Sequence, residues 1–187
     1  MLFDDKIHNK IANFYVAPIH SWGNDAHEKA AEMETFSSWE IDWCVQRLEL
    51  GFNQLQILPN RKKRLCSALE KAAYLISPSG EVYGCTEVSL VPSYETTGEN
   101  IHKIGHVNEY SKENLIPNIN KFSTFYQNVK NEKYDCHQCE MLPICGGFCP
   151  KEWEEGRAAC PSTKFNIKER MILEFMRSKN YLAKSRE

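Results

Sequence analysis

The sequence predicts an α+β fold: a strand–helix opening, a connector, and a small cysteine-rich lobe of short strands, tight turns and helices. Three observations carry that expectation. Ile41, Cys44, Val45 and Leu48 recur at the spacing of one helix face. "AYLISPSGEVYGC", residues 73–85, reads as two short strands about a Pro78-Ser79-Gly80 turn. "CHQCEMLPICGGFCP", residues 136–150, sets four cysteines at C-x2-C-x5-C-x3-C and ends on a proline.

In chain order, "IANFYVAPIH" (11–20) reads as a strand that "SWGND" breaks. A Thr/Ser cluster at Thr35, Ser37 and Ser38 is placed to cap the following helix, and Gly51 to stop it. Residues 53–65 read as a connector broken at Pro59. The hairpin follows, then a strand around "KIG" flanked by His102 and His106, and a helix over 118–130. "KEWEEGR" after the cysteine knuckle reads as a capping turn, and residues 166–183 as a last helix with a basic, solvated end. The expected division is 1–52, 53–65 and 66–187.

Composition narrows the function. A chain of 187 residues can build one core, or one core plus a metal-stapled lobe. A formal net charge of −2 lacks the basic excess that phosphate binding needs, so nucleic acid is excluded as the main partner. No apolar run reaches membrane-spanning length, and "MLFDDKIHNK" has no signal-peptide core, so no membrane partner and a cytoplasmic location are expected. Thiols stay reduced there, which disfavours a disulfide framework and leaves eight cysteines in need of a metal.

Cys44, on the apolar helix face, reads as a buried inert thiol. The other seven are Cys66, Cys85, Cys136, Cys139, Cys145, Cys149 and Cys160. A structural zinc takes four ligands, commonly as two C-x2-C pairs, and this chain has one such pair, Cys136 and Cys139. Seven thiols leave three over after one zinc site. The close C-x3-C-P matches that of bacterial two-cluster ferredoxins, so the spacing favours iron–sulfur over zinc. Gly146 and Gly147 would let the backbone turn sharply against a cluster. His137, inside the knuckle, is assigned a supporting or solvent-facing role, and His102 and His106 structural ones.

The order C-x13-G-x4-C, gap, C-x2-C-x5-C-x3-C, gap, C resembles the seven-cysteine pattern of the SPASM domain. That domain is the auxiliary-cluster module at the C-terminal end of many radical S-adenosylmethionine enzymes, notably those that modify ribosomally made peptides. The resemblance covers residues 66–160 by motif. It implies two auxiliary [4Fe–4S] clusters: Cys66, Cys85 and Cys149 on the first, and Cys136, Cys139, Cys145 and Cys160 on the second. Many members add a further cysteine shortly after the first, and "SALEKAAY" has none. The first cluster would then keep an open iron or take an oxygen ligand such as Glu70.

By the same resemblance, residues 1–52 are the last strand–helix unit of a partial (β/α)6 barrel. "APIHSWGN" would lie at the C-terminal rim of its strand. His20, Trp22 and Asn24 become candidates for contact with S-adenosylmethionine or substrate, against the favoured plain reading of a turn whose Trp packs and whose Gly23 bends. The C-x3-C-x2-C motif of the catalytic cluster occurs nowhere in these 187 residues. As written, the chain cannot cleave S-adenosylmethionine, which would bind only in a longer parent enzyme. The favoured expectation is a C-terminal portion of a peptide maturase, its clusters relaying electrons from an external donor or acceptor or holding the precursor peptide. The alternatives are a stand-alone non-catalytic protein that binds a peptide or partner enzyme, and a structural zinc domain.

Overall fold

The computed structural model describes residues 14–19, 32–52, 56–70, 73–88, 102–111, 122–179 and 181. Among them are five helices and one open, three-stranded antiparallel sheet, an α+β set. They group into two compact units, one from described residues of Met1–Ile19, Ala30–Asn60 and Pro161–Glu187, the other from those of Arg61–Cys160. No described helix is long and apolar enough to cross a membrane.

In the first unit, helix α1 spans Met33–Glu49. It begins before the expected Thr/Ser cap, with Glu32 at the N-cap and no side-chain capping bond. Ser37 and Ser38 lie inside the helix and donate their hydroxyls back to the carbonyls of Glu34 (2.6 Å) and Thr35 (2.8 Å). The stop at Gly51 is as expected. Its φ of +87° suits glycine, and Gly51 N–H and Phe52 N–H close on the carbonyls of Leu48 and Arg47. Cys44 is buried with Ile57 and with Leu173 of helix α5 (Ile167–Ser178), while Ile41, Val45 and Leu48 pack on them. Burial pushes the Cys44 thiol pKa up, in keeping with an inert packed cysteine.

Arg170 of α5 is the polar clasp of this unit. It donates to the Ile57 carbonyl and to Asn166 Oδ1, both at 2.7 Å, and pairs with Glu40 at 2.6 Å. Asn166 in turn donates to the Ser37 carbonyl at 2.9 Å. The predicted first strand is not observed: residues 14–19 have no strand conformation, and residues 11–13 and 20 lie outside the described residues. A strand needs a ladder partner, and every described strand pairs within the second unit. Phe14 packs edge-on to Phe52 instead (centroids 5.4 Å), with Arg47 over its ring.

The second unit holds the predicted hairpin. Strands β1 (Leu75–Ile76) and β2 (Glu81–Tyr83) pair antiparallel, Leu75 opposite Tyr83, around Gly80 at φ +88°. Strand β3 (Lys103–His106) adds to β2 with a register shift between Val82 and Tyr83, so the "KIG" strand is also observed. A core of Tyr83, Cys85, Val88, Phe122, Phe125 and Val129 packs beneath. Of the helix expected over 118–130, Phe125–Lys130 forms α2, residues 122–124 are turn, and 118–121 lie outside the described residues. The knuckle forms short helix α3 (Leu142–Cys145). "KEWEEGR" is a turn only at Glu155 and Gly156: its first four residues belong to helix α4 (Pro150–Glu154), whose N1 proline has the fixed φ that a first helical residue needs.

Candidate metal centre

Two cysteines from separate stretches line one cavity, and a third is buried near them. Cys66 precedes the 3-10 turn Ser67–Leu69, Cys85 follows β2, and Cys149 is the N-cap of α4. Cys66 and Cys149 line a cavity of about 230 Å³ whose apolar wall includes Leu65 and Phe148. Cys85 is buried behind it, close enough to feel the charge of both other thiols. Burial first, and then those neighbours, push its pKa up to about 11 against the opposing Glu87 N–H and Lys151 ammonium. Burial likewise raises Cys149, opposed by the amides of Glu152 and Lys151 and the Lys151 charge. As free thiols these groups hold their protons, and a metal that binds them must displace protons.

The backbone is arranged for sulfur. Ala68 N–H donates to Cys66 Sγ and Glu87 N–H to Cys85 Sγ, both at 3.4 Å, and Gly147 N–H to Cys145 Sγ at 3.5 Å. Three cysteines therefore each accept the amide two residues on, and such bonds stabilise a thiolate on a metal. The amides of Glu152 and Lys151 oppose the upward shift at Cys149. Among the described residues no three of His, Cys, Asp and Glu stand close enough to hold one metal ion. A tetrahedral zinc with Zn–S of about 2.3 Å needs its sulfurs within ~3.8 Å of one another. A cluster gives each thiolate its own iron and so accepts a wider spread. Two thiols on an open cavity, a third buried near them and the amide donors suit that donor chemistry.

Cys136, Cys139 and Cys145 lie along one run of turns. Cys136 is buried in the 3-10 turn Asp135–Gln138, Cys139 N–H closes on its carbonyl at 3.1 Å, and Cys145 ends α3. Gly146, Gly147 and Phe148 then take positive φ in succession (+66°, +97° and +63°), the sharp turn that the two glycines predict. Cys160 follows α4, half-buried before Pro161. All eight cysteines are free thiols.

His137 is tied through Nδ1 to the Tyr134 carbonyl (3.0 Å), and His106 through Nε2 to that of Ser79 (2.8 Å). His102 is buried against Glu155 at 2.9 Å, so both histidines around "KIG" are structural. Glu70 pairs at the surface with Arg64 (3.8 Å) and does not line the cavity; the carboxylates that do are Glu87 and Glu152. His20, Trp22 and Asn24 lie outside the described residues. The group that sequence reasoning misses is Lys151, Glu155, His102 and Arg157. Lys151 Nζ sits 2.9 Å from Glu155 Oε1, and Arg157 also pairs with that carboxylate. Burial would raise the Glu155 pKa, but the bonds from His102 and Lys151 and the charges of Lys151 and Arg157 bring it down to about 2. The i,i+4 spacing of Lys151 and Glu155 was its one visible signal.

No family model, curated protein or solved structure matches the chain.

Proposed function

We propose that this chain is the auxiliary-cluster region of a radical S-adenosylmethionine enzyme that modifies a ribosomally made peptide or protein. Its cysteine-rich unit would be a SPASM-type lobe, with α1 closing a partial barrel supplied by a longer chain. The observation that carries this reading is the placement of Cys66 and Cys149 on one cavity with Cys85 buried near them, the Cys66 and Cys85 sulfurs each accepting a nearby amide. Those three would hold the first [4Fe–4S] cluster, and Cys136, Cys139, Cys145 and Cys160 the second. Such groups supply one-electron transfer over a wide range of potential.

The residues of the chain do the rest. Leu65 and Phe148 give the cavity an apolar wall, and Glu87 or Glu152, which line it, would take the place expected for Glu70 as an oxygen donor. S-adenosylmethionine and the precursor peptide belong to the longer enzyme, and a reducing cytoplasm suits a chain whose cysteines are all free. Anaerobic purification with iron, acid-labile sulfide and zinc analysis tests the reading. About eight irons and eight sulfides per chain are expected for two four-iron clusters. Stoichiometric zinc without iron in a folded chain overturns it.

A further inference from the structure

We propose that Lys151 is the fixed counter-charge of the three-thiol site: the residue lines the cavity, and its ammonium, buried and clamped by Glu155, acts on Cys85 and Cys149 and raises the reduction potential of the iron–sulfur group held there, an assignment that rests on the cluster reading of this cavity.

The lysine is in an unusual place. Its side chain is only 4% exposed, yet it lines the same cavity as the two thiols. A buried ammonium is costly unless it is paired. Glu155 pairs it through both oxygens, Oε1 at 2.9 Å and Oε2 at 3.1 Å. That carboxylate is shared: His102 Nε2 approaches Oε1 at 2.9 Å, and Arg157 takes Oε2. One negative charge thus answers two permanent cations within this group, while Lys62, Glu87 and Glu152 also line the cavity. Arg157 is 41% exposed and dissipates its share into water. The share of Lys151 stays buried in the protein.

Both Cys85 and Cys149 lie in the field of that ammonium. A one-electron reduction leaves the site one charge more negative, and a buried cation favours that product more strongly than a solvated one would. His102, buried and tilted against Phe122 with centroids 5.8 Å apart, holds the carboxylate that aims the lysine. Lys151 is therefore a tuning residue and Glu155 its positioner.

The test is a dithionite titration of the cluster-loaded chain, with iron counted per chain, for wild type, Lys151→Met, Lys151→Arg and Glu155→Gln. Lys151→Met should make reduction of one couple about tenfold less favourable, a fall of ~59 mV for one electron, with iron content unchanged. Lys151→Arg should keep the wild-type potential. Glu155→Gln, which removes the opposing negative charge, should shift the same couple upward. Opposite signs from two members of one ion pair are not what loosened packing gives. Should Lys151→Met lose iron, Lys151→Gln is read in its place. Full iron with an unshifted potential in the uncharged variant overturns the assignment and leaves the cluster reading intact. A wild-type chain that binds no iron and sulfide overturns both.

Discussion

The indole N–H of Trp153 donates to the carbonyl oxygen of Gly147 at 2.8 Å, across the turn that carries Cys149. Trp153 is one turn into α4 and stacks on Tyr134, with centroids 4.7 Å apart. It therefore ties the end of the knuckle to the core on which Cys136 also packs. Trp153→Phe keeps the ring and removes the donor, leaving a buried carbonyl unpaired. The expected loss is about 1–3 kcal/mol in chemical denaturation. A variant as stable as wild type would mean that water replaces the bond.

Gly147 and Gly156 both have positive φ, and their surroundings separate two costs. A Cβ on Gly147 would stand 2.8 Å from Phe125 Cζ, inside the core; one on Gly156 would meet nothing within 4 Å. Gly156→Ala should therefore cost only the left-handed strain of ~1–2 kcal/mol. Gly147→Ala adds overpacking and should lose ~3 kcal/mol or more. Equal losses in thermal or urea unfolding would show that Phe125 moves freely aside.

What could be read from the sequence followed the range of the interaction. The face of Ile41, Cys44, Val45 and Leu48, the Gly51 stop, the Gly80 hairpin and the Gly146-Gly147 turn are set within a few residues, and all appear as expected. The strand expected over 11–20 is absent from its described part, 14–19, because an apolar, aromatic composition says nothing about whether a ladder partner exists. The Thr/Ser cap failed because several adjacent capping residues do not fix which turn comes first. The partners of α1, Ile57 and Leu173, and the Asn166–Ser37 bond between residues 129 apart, depend on tertiary packing that no local pattern carries. At the site, spacing singled out the cysteines, but the buried ion cluster around Glu155 joins His102 to a residue 53 positions away.

Glu155 should leave a pH signature. Its carboxyl sits at about 2 instead of the ordinary 4.5, surrounded by His102, Lys151 and Arg157. A depressed folded-state pKa gives stability that is complete above the unfolded value and is lost as pH falls through the folded one. At ~1.36 kcal/mol per pH unit, the contribution is on the order of 3 kcal/mol, fading between pH 4.5 and about 2. The unfolding free-energy difference between wild type and Glu155→Gln should shrink over that window, and the subtraction removes acid effects common to both chains. A difference that stays flat from pH 6 to ~2.5 would mean that the ion cluster does not stabilise the carboxylate.

Arg170 offers a test confined to the other unit. It is 6% exposed and satisfies Glu40, Asn166 and the Ile57 carbonyl together. Arg170→Met strands a carboxylate and a carbonyl and should cost ~3–5 kcal/mol. Replacing Glu40 and Arg170 together by apolar residues of similar volume should cost less than Arg170→Met alone, because no charge is then left unpaired. Additive losses in the double-mutant cycle would show that the pair does not act as a unit.

The cysteines separate by iron count. Cys44 is packed among Ile57 and Leu173 in the first unit, so Cys44→Ala should leave iron and sulfide unchanged while costing a little core packing. Cys85 sits behind the cavity with Cys66 and Cys149, and Cys139 on the run of turns with Cys136 and Cys145. If each set holds its own cluster, Cys85→Ala and Cys139→Ala should each bring about eight irons down to about four. The double variant should fall to none, and the two single variants should retain different electron paramagnetic resonance signals. Cys139→Ala should also loosen the turns that follow residue 135, seen as faster amide exchange at Gly146 and Gly147, whose geometry depends on a fixed Cys145. A Cys139→Ala chain with full iron and unchanged exchange would remove Cys139 from the ligand set and with it the division of the seven thiols into two groups.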